Sequence, residues 1–285
     1  MKVPAQLGGA QSPATGSPAL RVLVKLGGTL LDSAESRQRL AAQIAAARAR
    51  GIEMVVVHGG GKQMTRYLAE RGIESRFVGG LRVTTAETLD AVLKVFAGSV
   101  NQELVASLNR AGALAVGLSG IDAFLVEAEQ LDPALGAVGR VTKSNPALLE
   151  LLTANGYLPV VACVAGGRQG QVYNVNADQM AVACAAAFGA RQLIFLTDVE
   201  GVLDGAGRVR PVLTVAESRR LIAAGVATGG MQAKLNAALA ALAGGVEQVR
   251  IAPGAAEGVL EQVLAGGGVP SGPGTRIAPG EETAA

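Results

Sequence analysis

Cysteine, histidine and concentrated basic charge are all scarce in this sequence of 285 residues. The two cysteines, Cys163 and Cys184, lie inside apolar segments. Neither a disulfide framework nor a cysteine-based metal site is therefore indicated, and a reducing cytoplasm is the expected location. The net charge is +2, from 25 Lys and Arg against 23 Asp and Glu, and the basic residues are scattered. Because a nucleic-acid or membrane-surface binder needs a basic stripe, small-molecule partners are favoured instead.

Long apolar runs are also absent from the sequence. None approaches the roughly 18 residues that a membrane-spanning helix needs, and residues 1–20 contain no signal-peptide core. The Pro, Gly, Ser and Ala of this stretch predict a flexible tail, and residues 280–285 are expected to form a second tail. A hydrophobic fraction of 49% and the lack of a long linker predict a single domain over residues 21–279.

Short β-branched segments alternate with longer segments rich in Ala, Leu, Glu and Arg from Arg21 onward. RVLVKLGG and IEMVVVHGGG are typical of strands, and the stretches that follow them, from Asp32 to Arg50 and up to Arg71, are typical of helices. Further strands are predicted in ALAVGLSG, AFLVEAEQL, YLPVVACVA, RQLIFLTDV and EQVRIA. This alternation predicts an α/β fold with an open, mainly parallel sheet and helices on both faces. The turn-rich FLVEAEQLDPALGAVGRVTKSN predicts a hairpin that leaves the main sheet.

Capping residues indicate where several helices begin and end. Asp32 followed by Glu35 predicts a capping box, and a later helix is predicted between Asn145-Pro146 and Asn155-Gly156. The helix after GGLRVT is expected to be capped by Thr84 or Thr85, with Glu87 in its first turn.

Glycines follow several predicted strands, in VKLGG, VVVHGGG, GLSG and LTDVEG. Ligands of open α/β sheets bind at the carboxyl ends of the strands, so these glycines should converge on one crevice. A P-loop is excluded because Val56 and Gln63 occupy its first glycine and its hydroxyl position, and a dinucleotide fingerprint would require glycine where Met64 stands. An esterase would need a Gly-x-Ser-x-Gly elbow, which Ser119 lacks, and a free histidine, whereas His58 belongs to the glycine motif.

Phosphoryl transfer to a carboxylate remains open, because an acid with a pKa of about 4 is ionised at neutral pH and needs no histidine base. Such a transfer depends on positioning and on neutralising charge. Candidate groups are Lys25 before paired glycines, Asp178 in NVNADQM, and Lys234 after TGG, where a helix dipole favours anions. Arg82, in GGLRVTTAET, can bind a carboxylate through two hydrogen bonds.

Each candidate also has an ordinary structural explanation. Lys25 is equally explained as an exposed strand-end lysine, Asp178 as an N-cap and Lys234 as a solvated helix residue. Arg82 is as well explained by a surface ion pair. Taken one at a time, none of these residues decides the function.

In combination and order, these segments resemble the acetylglutamate kinase family of the amino-acid kinase superfamily. The resemblance extends from Arg21 to Ile277 through VKLGG, VVVHGGGKQM, FVGGLRVTTAETLD, NVNAD, LTDVEGVLD, TGGM-x-x-K and GTRI. It implies the amino-acid kinase fold, a three-layer α/β/α sandwich, with an acceptor-binding lobe over residues 21–189 and an ATP-binding lobe over 190–279. The implied activity is ATP-dependent phosphorylation of the side-chain carboxylate of N-acetyl-L-glutamate in arginine biosynthesis, with Mg²⁺ accompanying ATP and no dedicated protein metal site.

The resemblance also implies a role for each motif residue. Lys25 and Lys234 match lysines that stabilise the transferring phosphoryl group, and Asp178 matches the aspartate that orients them. His58 is implied to be a structural neighbour rather than a base. Positions that bind the acceptor match Gly60, Gly61, Arg82 and Asn174. Positions that bind ATP match Gly27, Gly28, Asp198, Val199, Glu200, Gly201, Val202, Leu203, Thr228, Gly229 and Gly230.

Two alternative functions stay open beside this one. The first is a related carboxylate kinase that acts on carrier-linked aminoadipate or glutamate, and the second is a noncatalytic amino-acid sensor with the kinase fold. Joint retention of Lys25, Asp178 and Lys234 argues against the sensor. One departure from the family, Gly120-Ile121-Asp122-Ala123 in place of Gly-Lys-Asp-Gly, predicts a different loop near the acceptor.

A homodimer is expected, because the apolar segment from Thr85 to Leu108 matches the helix that forms the family's dimer interface. Arginine-sensitive relatives add an N-terminal helix and a C-terminal segment that bears His and Glu. The residues before Arg21 show no helical apolar stripe, and AAEGVLEQVLAGGGVPSGPGTRI contains no histidine. Insensitivity to arginine is therefore expected.

Overall fold

Fourteen strands and nine α-helices occur in the computed structural model, which describes residues 19–265 and 272–280. The strands are β1 (Arg21–Leu26), β2 (Glu53–His58), β3 (Phe77–Val78), β4 (Leu81–Arg82), β5 (Ala115–Ser119), β6 (Val126–Gln130), β7 (Gly139–Ser144), β8 (Leu158–Ala162), β9 (Val164–Gly166), β10 (Val172–Asn174), β11 (Gln192–Thr197), β12 (Val212–Thr214), β13 (Gln248–Pro253) and β14 (Thr275–Ala278). The helices are α1 (Ala34–Ala49), α2 (Gly61–Ala69), α3 (Ala86–Val92), α4 (Asn101–Arg110), α5 (Ala147–Ala154), α6 (Ala177–Phe188), α7 (Val215–Ala223), α8 (Gly229–Ala243) and α9 (Val259–Ala265).

The main sheet has eight strands in the order β12-β14-β13-β11-β1-β2-β8-β5. Its strands pair in parallel from β13 through β5, and only the β13–β14 pair is antiparallel. β1 lies between β2 and β11, and its apolar run is fully buried because helices cover both faces of the sheet. Helices α6 and α8 pack together, whereas α1 packs with α4 and α9. The predicted α/β sandwich with a mainly parallel sheet is confirmed.

A second sheet of four strands, in the order β10-β9-β6-β7, stands apart from the main one. Its β6 and β7 pair antiparallel, so the hairpin predicted from the turn-rich segment is confirmed. The strands β3 and β4 form a separate two-stranded hairpin with glycines at its turn, Gly79 and Gly80, both of positive φ.

Helix boundaries agree with the caps predicted from sequence in most cases. α5 begins after Pro146 and is followed by Gly156 at φ 77°, and Thr85 caps α3 by accepting a hydrogen bond from Thr88 N at 3.2 Å. The capping box predicted at Asp32 is wrong, because Ser33 is the N-cap of α1 and accepts from Ser36 N at 3.1 Å. Asp32 instead follows a short 3₁₀ turn, Gly28–Leu31, as its C-cap and pairs with Arg66 at 2.9 Å.

An eight-residue π-helical segment, Leu93–Val100, joins α3 to α4, with non-helical angles at Gly98. Such segments are frequent at functional sites. Most large apolar side chains of α3, this segment and α4, among them Phe96 and Leu104, are buried within the chain's own core, whereas Leu93 is 37% exposed.

No helix of the described ranges, 19–265 and 272–280, is long and apolar enough to cross a membrane. The two expected tails lie almost wholly outside those ranges, since residues 1–18 and 281–285 are not described.

Candidate active site

Three charged side chains from distant parts of the chain meet at the carboxyl end of β1. Lys25 Nζ lies 2.7 Å from Asp178 Oδ1, and Lys234 Nζ lies 3.7 Å from Asp178 Oδ2, so each lysine faces its own carboxylate oxygen. The side chains of Lys25 and Asp178 are each 8% exposed, and that of Lys234 is 18% exposed. The explanations of Lys25 as an exposed lysine and of Lys234 as a solvated one are therefore wrong.

Asp178 is free to face the lysines because another residue caps its helix. Asn176 is the N-cap of α6, and its Oδ1 accepts from Asp178 N at 2.9 Å and from Gln179 N at 3.3 Å. The explanation of Asp178 as the N-cap is wrong for this reason.

Two ammonium groups outweigh one carboxylate in this cluster. Burial alone would raise the pKa of Asp178, but the charges of Lys25 and Lys234 prevail and leave it below its usual value. Asp178 is therefore ionised at neutral pH. The cluster carries a local excess of positive charge, which favours an incoming anion.

Two glycine turns lie against each other beside this cluster. Gly27 N donates to Leu196 O at 2.9 Å, which fixes the end of β1 to β11. A Cβ added to Gly28 would lie 3.0 Å from Gly61 N, so the turn after β1 touches the turn after β2. The amide of Gln63 joins them, since its Nε2 donates to Gly28 O at 3.0 Å.

Gly60 and Gly61 form the start of α2. Gly60 is its N-cap without a side-chain cap, and its first turn holds no acid, so backbone N–H groups are left for an anion. A Cβ on Gly60 would lie 2.9 Å from a ring carbon of Phe96 in the π-helical segment. Glycine is required there because the aromatic ring closes against the turn.

A pocket of about 150 Å³ opens from these glycines. Its lining includes all four residues predicted to bind the acceptor: Gly60, Gly61, Arg82 and Asn174. Apolar side chains supply most of the remaining wall: Phe77, Leu81, Phe96, Val138, Val175 and Ala177. Cys163 also lines it, and burial raises the pKa of this thiol to about 12, so it is neutral.

Arg82 is buried without a carboxylate partner among the described residues. Its Nη2 donates to Thr65 Oγ1 at 2.9 Å and to Gly61 O at 3.2 Å, Nη1 contacts Ser75 Oγ, and the guanidinium lies 4.5 Å from the ring centre of Phe77. Burial lowers its pKa, although the group stays charged at any physiological pH. The surface ion pair considered for Arg82 is wrong.

His58 is fully buried behind the glycine turn. Its Nδ1 lies 2.9 Å from Gly59 O, which can only accept, and Asn101 Nδ2 lies 2.9 Å from its Nε2. The ring is therefore a neutral Nδ1–H tautomer. Burial lowers its pKa to about 4, which fits a structural residue rather than a base.

The segment from Asp198 to Leu203 follows β11, the neighbour of β1. Asp198, Val199, Glu200 and Leu203 are exposed, whereas Gly201 and Val202 are buried. Gly201 has φ 154°, and a Cβ there would lie 2.8 Å from both Val209 and Thr275, so only glycine fits.

The second predicted ATP segment starts α8. Thr228 is the N-cap without a side-chain cap bond, Gly229 has φ 52°, and a Cβ on Gly229 or Gly230 would meet nothing within 4 Å. The first turn of α8 is thus open and free of acids. Neither ATP segment lines the acceptor pocket; α8 reaches the charged cluster through Lys234.

Three residues that contact this site were not predicted from sequence: Gln63, Thr84 and Phe96. Gln63 joins the glycine turns, and Thr84 Oγ1 accepts from Asn174 Nδ2 at 3.0 Å. Only Gly98 inside a helical pattern signalled the π-helical segment that carries Phe96.

Comparison with known proteins shows the family of the chain. The sequence profile of the amino acid kinase family matches residues 20–253. An acetylglutamate kinase of Solibacter usitatus is 80% identical over 247 residues, which are 87% of this chain and 96% of that protein. An acetylglutamate kinase of Rhizobium rhizogenes is 42% identical over 272 residues, which are 90% of this chain and 91% of that protein.

Solved structures show the same fold. N-acetylglutamate synthase from Neisseria gonorrhoeae, complexed with coenzyme A and N-acetyl-glutamate, superposes with a TM-score of 0.81 at 28% identity; the match covers 92% of this chain and 60% of the synthase. Giardia carbamate kinase gives a TM-score of 0.68 at 15% identity over 92% of this chain and 99% of that one, which supports the fold alone. The chain belongs to the amino acid kinase family and, within it, to the acetylglutamate kinases.

Proposed function

We propose that the protein transfers the γ-phosphoryl group of ATP to the side-chain carboxylate of N-acetyl-L-glutamate, giving N-acetyl-L-glutamyl 5-phosphate for arginine biosynthesis. The observation that carries this proposal is the cluster of Lys25, Asp178 and Lys234 beside two touching glycine turns. The 80% identity to a protein named acetylglutamate kinase supports the choice of acceptor.

The reaction needs no protein base. A carboxylate oxygen of the acceptor attacks the γ-phosphorus, the bond from that phosphorus to the bridging oxygen breaks, and ADP leaves with the electron pair. The nucleophile is ionised at neutral pH, so no proton is transferred. The buried, neutral His58 is consistent with this chemistry.

Lys25 and Lys234 are proposed to bind the oxygens of the phosphoryl group during transfer. Asp178 holds the two ammonium groups at 2.7 and 3.7 Å and thereby fixes their positions before the substrates arrive. Such preorganised charge lowers the barrier because it costs no rearrangement at the moment of reaction. Asp178 acts here as an orienting residue, not as a base.

The acceptor is proposed to lie in the pocket of about 150 Å³. Its reacting carboxylate would face the N–H groups of Gly60 and Gly61 at the start of α2. Its α-carboxylate would pair with Arg82, which is buried and lacks a carboxylate partner among the described side chains. Asn174 would bind the acetylated amino group.

ATP is proposed to lie across the turn of Gly27 and Gly28, with the open first turn of α8 at Thr228, Gly229 and Gly230 beside its phosphates. The segment Asp198, Val199, Glu200, Gly201, Val202 and Leu203 would contact the nucleoside. Residues 190–279 would thus form the ATP-binding lobe and residues 21–189 the acceptor-binding lobe.

Magnesium would enter with ATP and neutralise part of the charge on its phosphates. Residues 19–265 and 272–280 contain no group of three His, Cys, Asp or Glu that could hold a metal ion. Phosphate oxygens and water would therefore supply most of its ligands, as is common for Mg²⁺.

We also propose a homodimer that arginine does not inhibit. The proposed contact is the segment from Thr85 to Leu108. Most of its apolar residues pack within the chain, but Leu93 is 37% exposed and would contribute to the subunit contact. Light scattering should give twice the chain mass of 28.6 kDa, and arginine should leave acetylglutamate saturation unchanged. A hexamer with an arginine-shifted curve would contradict both statements.

One assay tests the activity. The purified chain is given ATP, Mg²⁺ and hydroxylamine with N-acetylglutamate, glutamate or an aminoadipate derivative in parallel. ADP and the hydroxamate trapped from the acyl phosphate should appear in equal amounts, with N-acetylglutamate far ahead. Binding of an acceptor without ADP release would indicate a sensor, and preference for aminoadipate would indicate the related kinase.

A further inference from the structure

Thr84 is held in one position by three segments that meet behind the acceptor pocket. It is 1% exposed, its N donates to Leu135 O at 2.9 Å, and its O accepts from Ala137 N at 2.7 Å. Ala137 O in turn accepts from Asn174 N at 2.9 Å. Gly136, between Leu135 and Ala137, has φ 68°, and any Cβ there would overlap Thr84 O. The backbone around Thr84 therefore has little freedom to move.

The hydroxyl of Thr84 has a defined hydrogen-bond direction. Oγ1 lies 2.8 Å from Arg82 O and 3.0 Å from Asn174 Nδ2. A carbonyl oxygen can only accept, so the single hydroxyl hydrogen of Thr84 is directed to Arg82 O, and a lone pair of Oγ1 is left to accept. The group of Asn174 that faces Thr84 must then be its NH₂.

This direction decides which end of the Asn174 amide faces the pocket. With its NH₂ turned to Thr84, Asn174 has its Oδ1 on the side of the amide away from Thr84. No side chain or backbone group of the described residues donates to that oxygen. Asn176, the other asparagine in the pocket lining, uses its Oδ1 to cap α6. Asn174 Oδ1 is thus a free acceptor in a pocket that Arg82, which can only donate, also lines.

We infer that Thr84 is a positioning residue that determines specificity: it fixes the amide of Asn174 so that Oδ1 accepts the N–H of an acylated amino group. This inference rests on the proposed function. It adds the reason why the pocket selects an acceptor with an amide, rather than an ester or ether, at its α-carbon. An acceptor without the N–H leaves Asn174 Oδ1 unpaired on binding. A buried polar atom left without a hydrogen bond lowers the affinity for that acceptor strongly.

The test compares two acceptors on the full-length protein. N-acetylglutamate carries the N–H, and its 2-acetoxy analogue replaces that group with oxygen and changes little else. In the wild-type protein, kcat/KM for the amide should exceed that for the ester by about tenfold or more. In Thr84→Val the side-chain amide of Asn174 can turn over, so this ratio should fall to about two or less. The fall should come mostly from a lower kcat/KM for N-acetylglutamate.

Two further variants separate positioning from a general loss of structure. Thr84→Ser keeps the hydroxyl and should retain the wild-type ratio, and Thr84→Ala fits the same space without it and should behave like Thr84→Val. The KM for ATP should stay unchanged in all three variants.

An unchanged amide-to-ester ratio in Thr84→Val and Thr84→Ala would overturn the inference, whether kcat/KM stays at its wild-type value or falls equally for both acceptors. Failure of the wild-type protein to phosphorylate N-acetylglutamate would instead refute the proposed function itself. The wild-type reaction with N-acetylglutamate alone therefore distinguishes the two failures.

Discussion

Lys25 on the central strand β1 and Asp178 in the first turn of α6 form a buried ion pair with 2.7 Å between Nζ and Oδ1. The second carboxylate oxygen of Asp178 faces Lys234 from α8. Elements on both sides of the predicted lobe boundary thus meet at one carboxylate. A group transferred between substrates bound to the two lobes would pass beside this pair.

Replacing Arg82 with alanine should raise the KM for acetylglutamate by about tenfold or more and change kcat little, because a bidentate contact to a carboxylate is made equally in ground and transition states. Steady-state kinetics at saturating ATP measures it. Arg76→Ala is the matched control, since Arg76 is exposed on the same segment. A wild-type KM in Arg82→Ala would return Arg82 to a purely structural role.

The pH profile of kcat should be flat from about pH 6.5 to 8.5. The attacking carboxylate is ionised throughout, and the groups at the site titrate elsewhere. The pKa of Asp178 is lowered by its two lysines, that of His58 lies at about 4, and that of Cys163 at about 12. An ionisation near neutrality in kcat would show that a proton transfer limits the reaction.

Stability should fall when the pH is lowered from about 6.5 to 4, because His58 is neutral in the fold. Its pKa is about 4 when folded and 6.5 in the reference state, so in this interval the unfolded chain binds a proton that the folded chain rejects. The free energy of unfolding should drop by about 3 kcal/mol over the interval.

Urea denaturation of the wild-type protein and of His58→Gln at pH 7 and pH 4 measures this effect. The variant is expected to be less stable at pH 7 but to lose less stability on acidification. Because the pKa of Asp178 is lowered in the fold, the stability that it contributes is lost mainly below its ordinary value of 3.8, and any loss above pH 4 is the same in both proteins. Equal losses in both proteins would rule out His58 as the cause.

Alanine should be tolerated at Gly61 but not at Gly28, although both glycines lie in the touching turns. A Cβ on Gly28 would lie 3.0 Å from the backbone N of Gly61, whereas a Cβ on Gly61 meets nothing within 4 Å. Gly28→Ala should separate the turns and lower kcat by about tenfold or more, since small displacements in such sites are costly.

Gly61→Ala keeps its backbone N–H at the first position of α2. It should retain most activity and stabilise the helix by up to about 1 kcal/mol. Activity and melting temperature of both variants provide the check. Equal loss of kcat in both would mean that the contact between the turns is not the reason for glycine.

Much of the fold was predictable because its signals are local. The parallel strands are short apolar runs, and glycine directly follows four of them, β1, β2, β5 and β13. Pro146 and Gly156 bound α5 by their own backbone preferences. The predicted cap at Asp32 failed because Ser33, one residue on, has an equivalent oxygen and the 3₁₀ turn ending at Leu31 decides between them.

The candidate site was less predictable from residues alone. Lys25, Asp178 and Lys234 each had an ordinary explanation until the fold brought them together. Thr84 was considered only as a helix cap, because its part in the site depends on a loop at Leu135 to Ala137 that is distant in sequence. Resemblance to a family supplied what local patterns lacked.

The kinetics of Lys25→Ala test the central claim most directly. If Lys25 stabilises the phosphoryl group in the transition state of the transfer, kcat should fall by about a hundredfold or more while the KM for acetylglutamate stays within about twofold. Lys62→Ala, which removes an exposed lysine beside the same glycine turn, should be close to wild type. A rise in KM with kcat preserved would contradict the account, because Lys25 would then bind substrate without acting on the transfer.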